Sequence, residues 1–224
     1  MIQLLSTKEL TNEQLALLPL DQIKLTQYNA LEIRQMPGPE TWSSDALHVF
    51  TSGNAVRACF PDQAIWFEGL DCCCVGPKTA ALIRSRGHRV LCEATSAQAL
   101  AELLIQKYSK RYIILYVGNR TLGVIPERLR AAGISFEELQ SYQSSLIKIE
   151  FKIQFDIVLF FSPSGVKSFF TANPDQNPLA ICLGHTTENE AKKHTKKYKT
   201  APNTTVEAVL QTASALIRVY EYKA

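Results

Sequence analysis

Short apolar runs alternate with amphipathic segments along most of this chain. Within residues 34–142, the apolar runs have the length of strands, and several end at small polar turns that lead into segments of helical periodicity. This alternation is typical of parallel βα units in a doubly wound sheet. The pattern predicts strands at 47–50, 72–75, around Val90, at 112–117 and at 136–142, with helices at 55–60, 79–86, 97–108 (capped by Ser96) and 126–132.

A second series of the same kind starts near residue 155. Because this series is short of strands, we add to it the strand and helix that the N-terminal pattern predicts. The resulting set comprises strands at 2–5, 157–161 and 179–183, with helices at 12–18, 165–170, 187–194 and 205–217.

The two series predict two α/β domains, of which the first is discontinuous. We place the first domain at residues 1–22 plus 147–224, and the second at residues 34–135. The extended stretches 23–33 and 136–146 then connect the domains as two crossing strands.

An internal repeat supports this division. The sequence FTSGNAV at 50–56 is followed by CVGPKT at 74–79, and FFSPSGV at 160–166 is followed by CLGHTT at 182–187. In each copy an apolar run ends at a Ser-containing turn, and the step from the first Ser to the later Gly is similar, 24 residues and 22 residues. A repeat of this kind indicates two related α/β units.

Each copy of the repeat offers a strand end, a small polar turn and a helix N-terminus. The unpaired backbone N–H groups and the positive end of the helix dipole at such a terminus can hold an anion. Two such sets would suit a polyanion. The same residue types also cap helices in proteins generally, and that interpretation stays open for Ser52 or Asn54, Ser162 or Ser164, and Thr79 or Thr187.

The composition fits a folded protein with sizeable cores. Of 224 residues, 46% are hydrophobic and 20% are charged, which argues against long disordered segments. The net charge of +3 is mild, and the basic residues are scattered except in the run at 192–199. Because the chain lacks a wider basic surface with interleaved aromatic residues, we do not expect it to bind nucleic acid.

Compartment and redox state follow from the apolar runs and the cysteines. No apolar run approaches the roughly 18 residues that a membrane span needs, and the N-terminus has no basic segment before a long apolar stretch. We therefore expect a soluble cytoplasmic protein without a membrane partner. The six cysteines, three of them adjacent at 72–74, lack the spacing of a zinc site, and we expect buried thiols in a reducing compartment.

The ordered set of turns resembles the uroporphyrinogen-III synthase family. Its members have an F-T-S-x-N-A-V type turn, a V-G-x-x-T-A turn followed by a helix and a Gly, a G-x-R-x-x-x-x-x-P-x-x-L-x-x-x-G segment, a tyrosine in an exit strand, an F-S-P-S-G turn and a G-x-T-T turn. The match spans nearly the whole chain in the right order. In this chain the motifs lie at Phe50–Val56, Val75–Ala80 with Gly87, Gly118–Gly133, Tyr142, Phe161–Gly165 and Gly184–Thr187.

The resemblance implies two flavodoxin-like parallel-sheet α/β domains joined by a two-stranded β connector. It also implies a hydro-lyase of haem biosynthesis, which cyclises the linear tetrapyrrole hydroxymethylbilane with inversion of the last pyrrole ring and loss of water. No metal or organic cofactor is implied, and we expect a monomer whose partner is its small-molecule substrate. The site would lie between the domains, at the carboxyl ends of both sheets.

The resemblance points to Tyr142 as the catalytic residue, because a phenol O–H can donate a hydrogen bond to the leaving hydroxyl. From the residues alone, an ordinary half-buried strand aromatic is the alternative. The substrate carries eight carboxylates, which turn residues and two basic side chains would hold. These candidates are Thr51, Ser52, Asn54, Gly76, Lys78, Thr79, Arg120, Ser162, Ser164, Gly165, Thr186 and Thr187.

The chain departs from the family pattern at three turn positions. Lys8 stands where members have an arginine-containing turn after the first strand, Val117 precedes Gly118 where many members have Arg, and His185 occupies a position where Pro is usual. These departures leave open a non-catalytic or divergent homologue that binds a tetrapyrrole or another polyanion. A nucleotide-dependent enzyme is a further alternative, although no GxGxxG or GxxxxGK[ST] motif follows a predicted strand.

Overall fold

The chain divides into two compact units. The computed structural model describes residues 1–36, 38, 42–61, 69–120 and 123–221, with side chains described to residue 219. The first unit comprises Met1–Glu32 and Ser145–Ala224, and the second comprises Ile33–Ser144.

Strands and helices alternate through most of the chain. The boundary between the units falls inside the third and the eighth strand. The elements are β1 (Ile2–Ser6), α1 (Asn12–Leu15), β2 (Ile23–Gln27), β3 (Leu31–Gln35), β4 (Leu47–Phe50), α2 (Gly53–Cys59), β5 (Asp71–Val75), α3 (Pro77–Ser85), β6 (Arg89–Ala94), α4 (Ala97–Tyr108), β7 (Ile113–Gly118), α5 (Val124–Ala131), β8 (Phe136–Leu146), β9 (Ile157–Phe160), α6 (Pro163–Ala172), β10 (Leu179–Cys182), α7 (His185–Ala191), β11 (Tyr198–Thr200) and α8 (Val206–Glu221).

The first unit is built on a five-stranded sheet with the order β2-β1-β9-β10-β11. All four neighbouring pairs are parallel. Both faces of the sheet are covered, since Leu4 and Leu159 pack in one apolar cluster with α8 residues such as Val209, whereas Leu5 and Val158 pack in another with Phe169 of α6. Burial on both faces explains why the central strands are continuous apolar runs.

The second unit contains a six-stranded sheet with the order β3-β8-β7-β4-β5-β6. The pairs from β8 to β6 are parallel. Phe50, Cys72 and Tyr116 face a cluster that includes α2 residues, and Val49 and Leu115 face a second cluster built with α4 and α5. The sheet is therefore also covered on both faces.

The two units share one strand layout. The order β2-β1-β9-β10-β11 is the flavodoxin-like order 2-1-3-4-5. The order β8-β7-β4-β5-β6 is the same arrangement, except that the chain forms positions 3, 4 and 5 first and positions 1 and 2 afterwards. In both units the repeated segment supplies the three strands on one side, β9-β10-β11 or β4-β5-β6. The prediction of two related parallel α/β units is thereby confirmed.

The stretches expected to connect the domains are parts of the sheets. Residues 23–33 contain β2, which pairs along its whole length with β1, and the start of β3, which lies beside β8. Residues 136–146 form β8, which pairs with β7 as far as Tyr142. Among the described residues, no helix is long and apolar enough to cross a membrane.

The basic run at 192–199 contains a strand that the sequence pattern did not predict. β11 covers Tyr198–Thr200 at the edge of the sheet, beside β10. The Lys192 ammonium lies 4.9 Å from the centroid of the Tyr198 ring. An edge strand is exposed on one side, so its composition carries little of the apolar signal that marks the inner strands.

Candidate functional site

A cavity of about 240 Å³ lies in the second unit, at the carboxyl ends of β4 and β7. From these neighbouring strands the chain continues in opposite directions along the sheet, since β5 lies on the outer side of β4 and β8 on the outer side of β7. Such a switch point is where ligands bind in open α/β sheets. Four of the predicted site residues line this cavity, namely Thr51, Ser52, Arg120 and Tyr142.

Tyr142 owes its position to an irregularity in the pairing of β7 with β8. Val117 is opposite Gln140, but Gly118 is opposite Tyr142, so Ser141 is the extra residue of a bulge. The buried Ser141 hydroxyl donates to the Val117 carbonyl at 3.3 Å. A bulge re-aims the side chains that follow it, and here the following side chain is that of Tyr142.

The ring of Tyr142 lies directly over the backbone of Gly118. A Cβ atom added at Gly118 would be 2.7 Å from the Tyr142 hydroxyl oxygen and 2.7 Å from Cε2 of its ring. Any side chain at position 118 would therefore displace the tyrosine. Gly118 begins one of the family motifs, but it was not among the predicted site residues, because its role depends on the bulge.

The Tyr142 side chain is half-buried and packs against the apolar cluster that contains Phe50 and Tyr116. Its hydroxyl has no hydrogen-bond partner within the part of the chain that the structure describes. The apolar side chains of Leu115, Val117 and Ile125 also line the cavity. The hydroxyl is thus a donor held beside a largely apolar wall.

Ser52 and Ser162 are helix caps. The Ser52 hydroxyl accepts a hydrogen bond from the Asn54 N–H at 3.1 Å, and the Ser162 hydroxyl accepts one from the Gly165 N–H at 3.1 Å. The capping interpretation is therefore correct for these two serines. The other residue of each pair, Asn54 or Ser164, lies inside the helix that the serine caps.

Thr79 and Thr187 are not caps either. Both are buried third residues of helices that begin after a glycine, Gly76 for α3 and Gly184 for α7, and neither helix has a side-chain cap. The repeat thus places a threonine in the same position of each unit.

The N-terminus of α3 carries an exposed cation. Gly76 has a φ of 82°, in the left-handed region that favours glycine, and its N–H donates to the Ala94 carbonyl at 2.9 Å. Pro77 follows, then Lys78, whose side chain points to solvent. The first turn of α3 contains no acidic residue, so the positive end of its dipole is reinforced by the lysine.

A smaller cavity, of about 150 Å³, occupies the matching position in the first unit. It lies where β1 and β9 diverge toward β2 and β10, at the switch point of that sheet. Ser162 is the predicted site residue that lines this cavity, together with Lys8 and Asn29, which the prediction did not include. Lys8 is thus at a cavity wall.

Gly165 allows the first turn of α6 to approach the end of β1. A Cβ atom added at Gly165 would lie 3.1 Å from the Thr7 hydroxyl oxygen and 3.7 Å from that of Ser162. Thr7 is buried, and its hydroxyl donates to the Leu159 carbonyl at 2.7 Å. Thr7 also lines the cavity, and only the pairing of β1 with β9 reveals its position.

The N-terminus of α7 differs from that of α3, because it already holds a carboxylate. Glu188 in its first turn accepts hydrogen bonds from Lys192 at 2.5 Å, from Thr200 at 2.6 Å and from His185 at 3.1 Å. These contacts, that of Lys192 most of all, lower the pKa of the Glu188 carboxyl to about 2. Thr186 in the same turn is exposed.

The three basic residues at these turns are available to an anionic ligand. Within the described ranges, the side chains of Lys8, Lys78 and Arg120 are exposed, and none of them has a hydrogen-bond or ion-pair partner. Residues 121 and 122, which belong to the predicted segment Gly118–Gly133, lie outside the described residues. Among the residues described, no group of three or more His, Cys, Asp or Glu side chains is arranged to hold a metal ion.

Comparisons with solved structures reproduce the fold. The uroporphyrinogen-III synthetase of Helicobacter pylori 26695 aligns with a TM-score of 0.69 and 16% identity, over 96% of this chain and 100% of that one. A mutant uroporphyrinogen III synthase of the extremely thermophilic bacterium Thermus thermophilus aligns with a TM-score of 0.61 and 14% identity, over 98% of this chain and 100% of that one. No curated protein sequence matches.

The sequence also matches a family model. The model is described as uroporphyrinogen-III synthase HemD, and it matches residues 28–211, which cover most of both units. The resemblance found in the turn motifs is thereby confirmed. This chain belongs to the uroporphyrinogen-III synthase family.

Proposed function

We propose that this chain cyclises hydroxymethylbilane to uroporphyrinogen III with Tyr142 as the group that assists departure of the hydroxyl. The activity is that of the family to which the chain belongs. The observation that carries the assignment of Tyr142 is its position at the wall of the cavity at the switch point of the sheet. The bulge at Ser141 holds its ring over Gly118, and no described residue forms a hydrogen bond with its hydroxyl.

Cyclisation requires the terminal hydroxyl of the substrate to leave as water. The oxygen gains negative charge as its bond to carbon breaks, so a donor aimed at it stabilises the transition state more than the ground state. The Tyr142 O–H is such a donor. The apolar side chains of Leu115, Val117 and Ile125 limit competition from water, which strengthens that hydrogen bond.

The size of the cavity suits one end of the substrate. Its volume of about 240 Å³ is below the roughly 300–1,000 Å³ of a complete small-molecule site. In this assignment the terminal pyrrole occupies the cavity. Arg120, Thr51 and Ser52 then hold its carboxylates, because a guanidinium binds a carboxylate through two parallel hydrogen bonds.

The remaining candidates would bind carboxylates of the other rings. Lys78 and the backbone N–H groups of the first turn of α3 form one anion site in the second unit. In the first unit, Lys8 and Ser162 line the smaller cavity. The other proposed contacts are Asn54, Gly76, Thr79, Ser164, Gly165, Thr186 and Thr187.

The test is to supply fresh hydroxymethylbilane, oxidise the products and separate the type I and type III isomers by chromatography. The linear substrate closes spontaneously to isomer I, so enzyme-dependent isomer III supports the proposed activity. Isomer I alone from folded protein would overturn it and would indicate a homologue that binds without turnover.

Tyr142→Phe tests the role of the hydroxyl. The expected result is a fall in kcat of roughly 10²-fold, within the range for loss of a general acid, with little change in KM. Tyr112→Phe is the matched control, because Tyr112 is an exposed tyrosine of the same unit whose hydroxyl donates to Glu137. If Tyr142→Phe formed isomer III at the rate of the control, the proposed role of Tyr142 would be wrong.

A further inference from the structure

Two cysteines face each other across the edge of the second sheet. In the pairing of β5 with β6, Cys73 is directly opposite Cys92. A bulge makes this possible, because Cys72 is opposite Val90 and the register shifts by one residue before Cys73. Cys73 and Cys92 both face the apolar cluster that contains Leu100, so their side chains share one face of the sheet.

The backbone geometry of this pair is compatible with a covalent bond between the sulfurs. Neighbouring strands lie about 4.8 Å apart, and disulfides join residues whose Cα atoms are roughly 4.4–6.8 Å apart. The two thiols are close enough for each to shift the pKa of the other. Both cysteines are free thiols in this structure.

The neighbouring cysteines are turned away from this pair. Cys72 and Cys74 face the opposite cluster, with Cys59 and Phe50. Directly opposite Cys74 is Glu93. Because successive side chains of a strand point to opposite faces, neither Cys72 nor Cys74 can replace Cys73 as the partner of Cys92 without a change of register.

The two thiols differ in access and in acidity. Cys73 is fully buried, whereas Cys92 is partly exposed. The neighbouring Cys73 thiol, and to a smaller extent the nearby Lys107, lower the pKa of Cys92. The Cys92 thiol and burial raise the pKa of Cys73. An accessible thiol with thiolate character beside a protected second thiol is the arrangement of redox-sensitive cysteine pairs.

We propose that Cys73 and Cys92 form a modification site, which a peroxide converts to an intramolecular disulfide. The Cys92 thiolate attacks hydrogen peroxide, breaks the O–O bond and becomes a sulfenic acid with release of hydroxide. The Cys73 sulfur then attacks the Cys92 sulfur, the S–OH bond breaks, and the Cys73 proton leaves with that hydroxide as water. The proton that Cys92 gave up on ionisation neutralises the hydroxide released in the first step. Counted from the two thiols, the pair therefore loses two electrons and two protons, and the peroxide becomes two waters.

The site lies next to the turn that carries Gly76 and Lys78. Cys73 is three residues before Gly76, whose N–H donates to the Ala94 carbonyl at the end of β6. The disulfide joins β5 to β6 just before that hydrogen bond. The chemistry of the pair does not depend on the proposed catalytic role of Tyr142, so either proposal can fail without the other.

The experiment is to treat the purified, reduced chain with hydrogen peroxide and to measure its intact mass. The expected result is a loss of about 2 Da, reversed by dithiothreitol, since disulfide formation removes two hydrogen atoms. Digestion without reduction, followed by fragmentation of the cross-linked peptide, should assign the bond to Cys73 and Cys92. This measurement on the unaltered chain needs no variant to fold.

Variants sharpen the assignment. Cys92→Ser should abolish the loss of about 2 Da, whereas Cys74→Ser is the matched control and should retain it, because its side chain is on the other face. The proposal would be overturned by an unchanged mass, by a cross-link that involves another cysteine, or by sulfinic acid at Cys92 without a cross-link.

Discussion

The first and second units build the same sheet from differently ordered segments of chain. In the first unit, β1 and β2 precede the repeated strands β9, β10 and β11, whereas in the second the equivalent strands β7 and β8 follow β4, β5 and β6. Both units nevertheless have a cavity at the switch point. The position of a cavity is therefore set by which strand ends are neighbours, and the order in which the chain forms them does not matter.

The contents of the two cavities differ. The second unit places Tyr142 and Arg120 around a cavity of about 240 Å³. The first unit places Lys8 and Ser162 around a cavity of about 150 Å³. In the proposed mechanism the second unit therefore supplies the reacting group, and the first unit only binds substrate.

The helices that begin after the glycines of the repeat also differ. In α3 the second residue is Lys78 and the first turn has no acid, whereas in α7 the second residue is Thr186 and the first turn contains Glu188. The Glu188 carboxylate in the first turn of α7 is ion-paired with Lys192, and its charge offsets the positive end of that helix dipole. The N-terminus of α3 is consequently the better site for a substrate carboxylate.

The largest expected effect follows a change beneath Tyr142. Gly118→Ala should lower kcat for isomer III by about 10²-fold, because a Cβ atom displaces the ring and misplacement by about 1 Å can cost that much. Gly53→Ala is the control, since its Cβ atom would meet only the ends of the Arg57 and Leu82 side chains. Steady-state kinetics and thermal unfolding of both variants check the prediction. A Gly118→Ala enzyme with unchanged kcat would show that the tyrosine does not need this position.

A smaller effect is expected at Arg120. Arg120→Gln should raise KM for hydroxymethylbilane about tenfold, since a charge-assisted hydrogen bond to a carboxylate contributes roughly 1.5 kcal/mol or more. Arg128→Gln is the matched control, because Arg128 is a partly exposed arginine of the same unit that pairs with Glu102. Equal KM values for the two variants would remove Arg120 from the proposed site.

The comparison of α3 with α7 predicts a still smaller difference. Lys78→Thr should raise KM about threefold, the effect of losing one exposed ion pair, whereas Thr186→Val, which removes an uncharged contact, should raise KM by less. Titration at increasing ionic strength should reduce the difference between wild type and Lys78→Thr. A larger effect at Thr186 than at Lys78 would reverse the ranking of the two helix termini.

Acidification should destabilise the two units over different pH ranges, without any mutation. Burial lowers the pKa of His48 and of His88 in the second unit, so protonation favours the unfolded chain, and their contribution to stability is lost as the pH falls below about 6.5. In the first unit the pKa of Glu188 is lowered to about 2, so its contribution is lost only as the pH falls from about 4.5 toward 2.

Hydrogen exchange measured by mass spectrometry can follow both units in one experiment. Between about pH 6.5 and 5, protection should fall first in the peptides of β4 and β7, which carry His48 and its partner Tyr116. Peptides of α7 should keep their protection in that range. Simultaneous loss of protection in both units would contradict the assignment of separate titrating groups.

Much of the fold could be predicted from the sequence. The apolar run at Leu47–Phe50 and the helix from Ala97 to Tyr108 after Ser96 were predicted to the residue, because inner strands and capped amphipathic helices carry strong local signals. The edge strand β11 was not predicted, since its residues are exposed and lie within a basic run. The stretch 23–33 was expected as one strand and contains parts of two.

The candidate site was predicted in part, through residues that end strands of the repeat. Thr51, Ser52 and Ser162 line cavities as expected for residues at the carboxyl ends of parallel strands. Gly118 and Thr7 were not among the predicted site residues. Their roles arise from close approaches between segments far apart in sequence, which no local pattern records.

The sequence by itself determined that two related parallel α/β units exist, where their inner strands lie and which turns end them. Periodicity and turn chemistry are local, so they can be read without knowing what packs against what. The tertiary structure alone decided which strand ends are neighbours, where the cavities lie, and that bulges turn Tyr142 over Gly118 and Cys92 toward Cys73. Register between strands is a long-range property, and shifting it by one residue changes the face on which every following side chain lies.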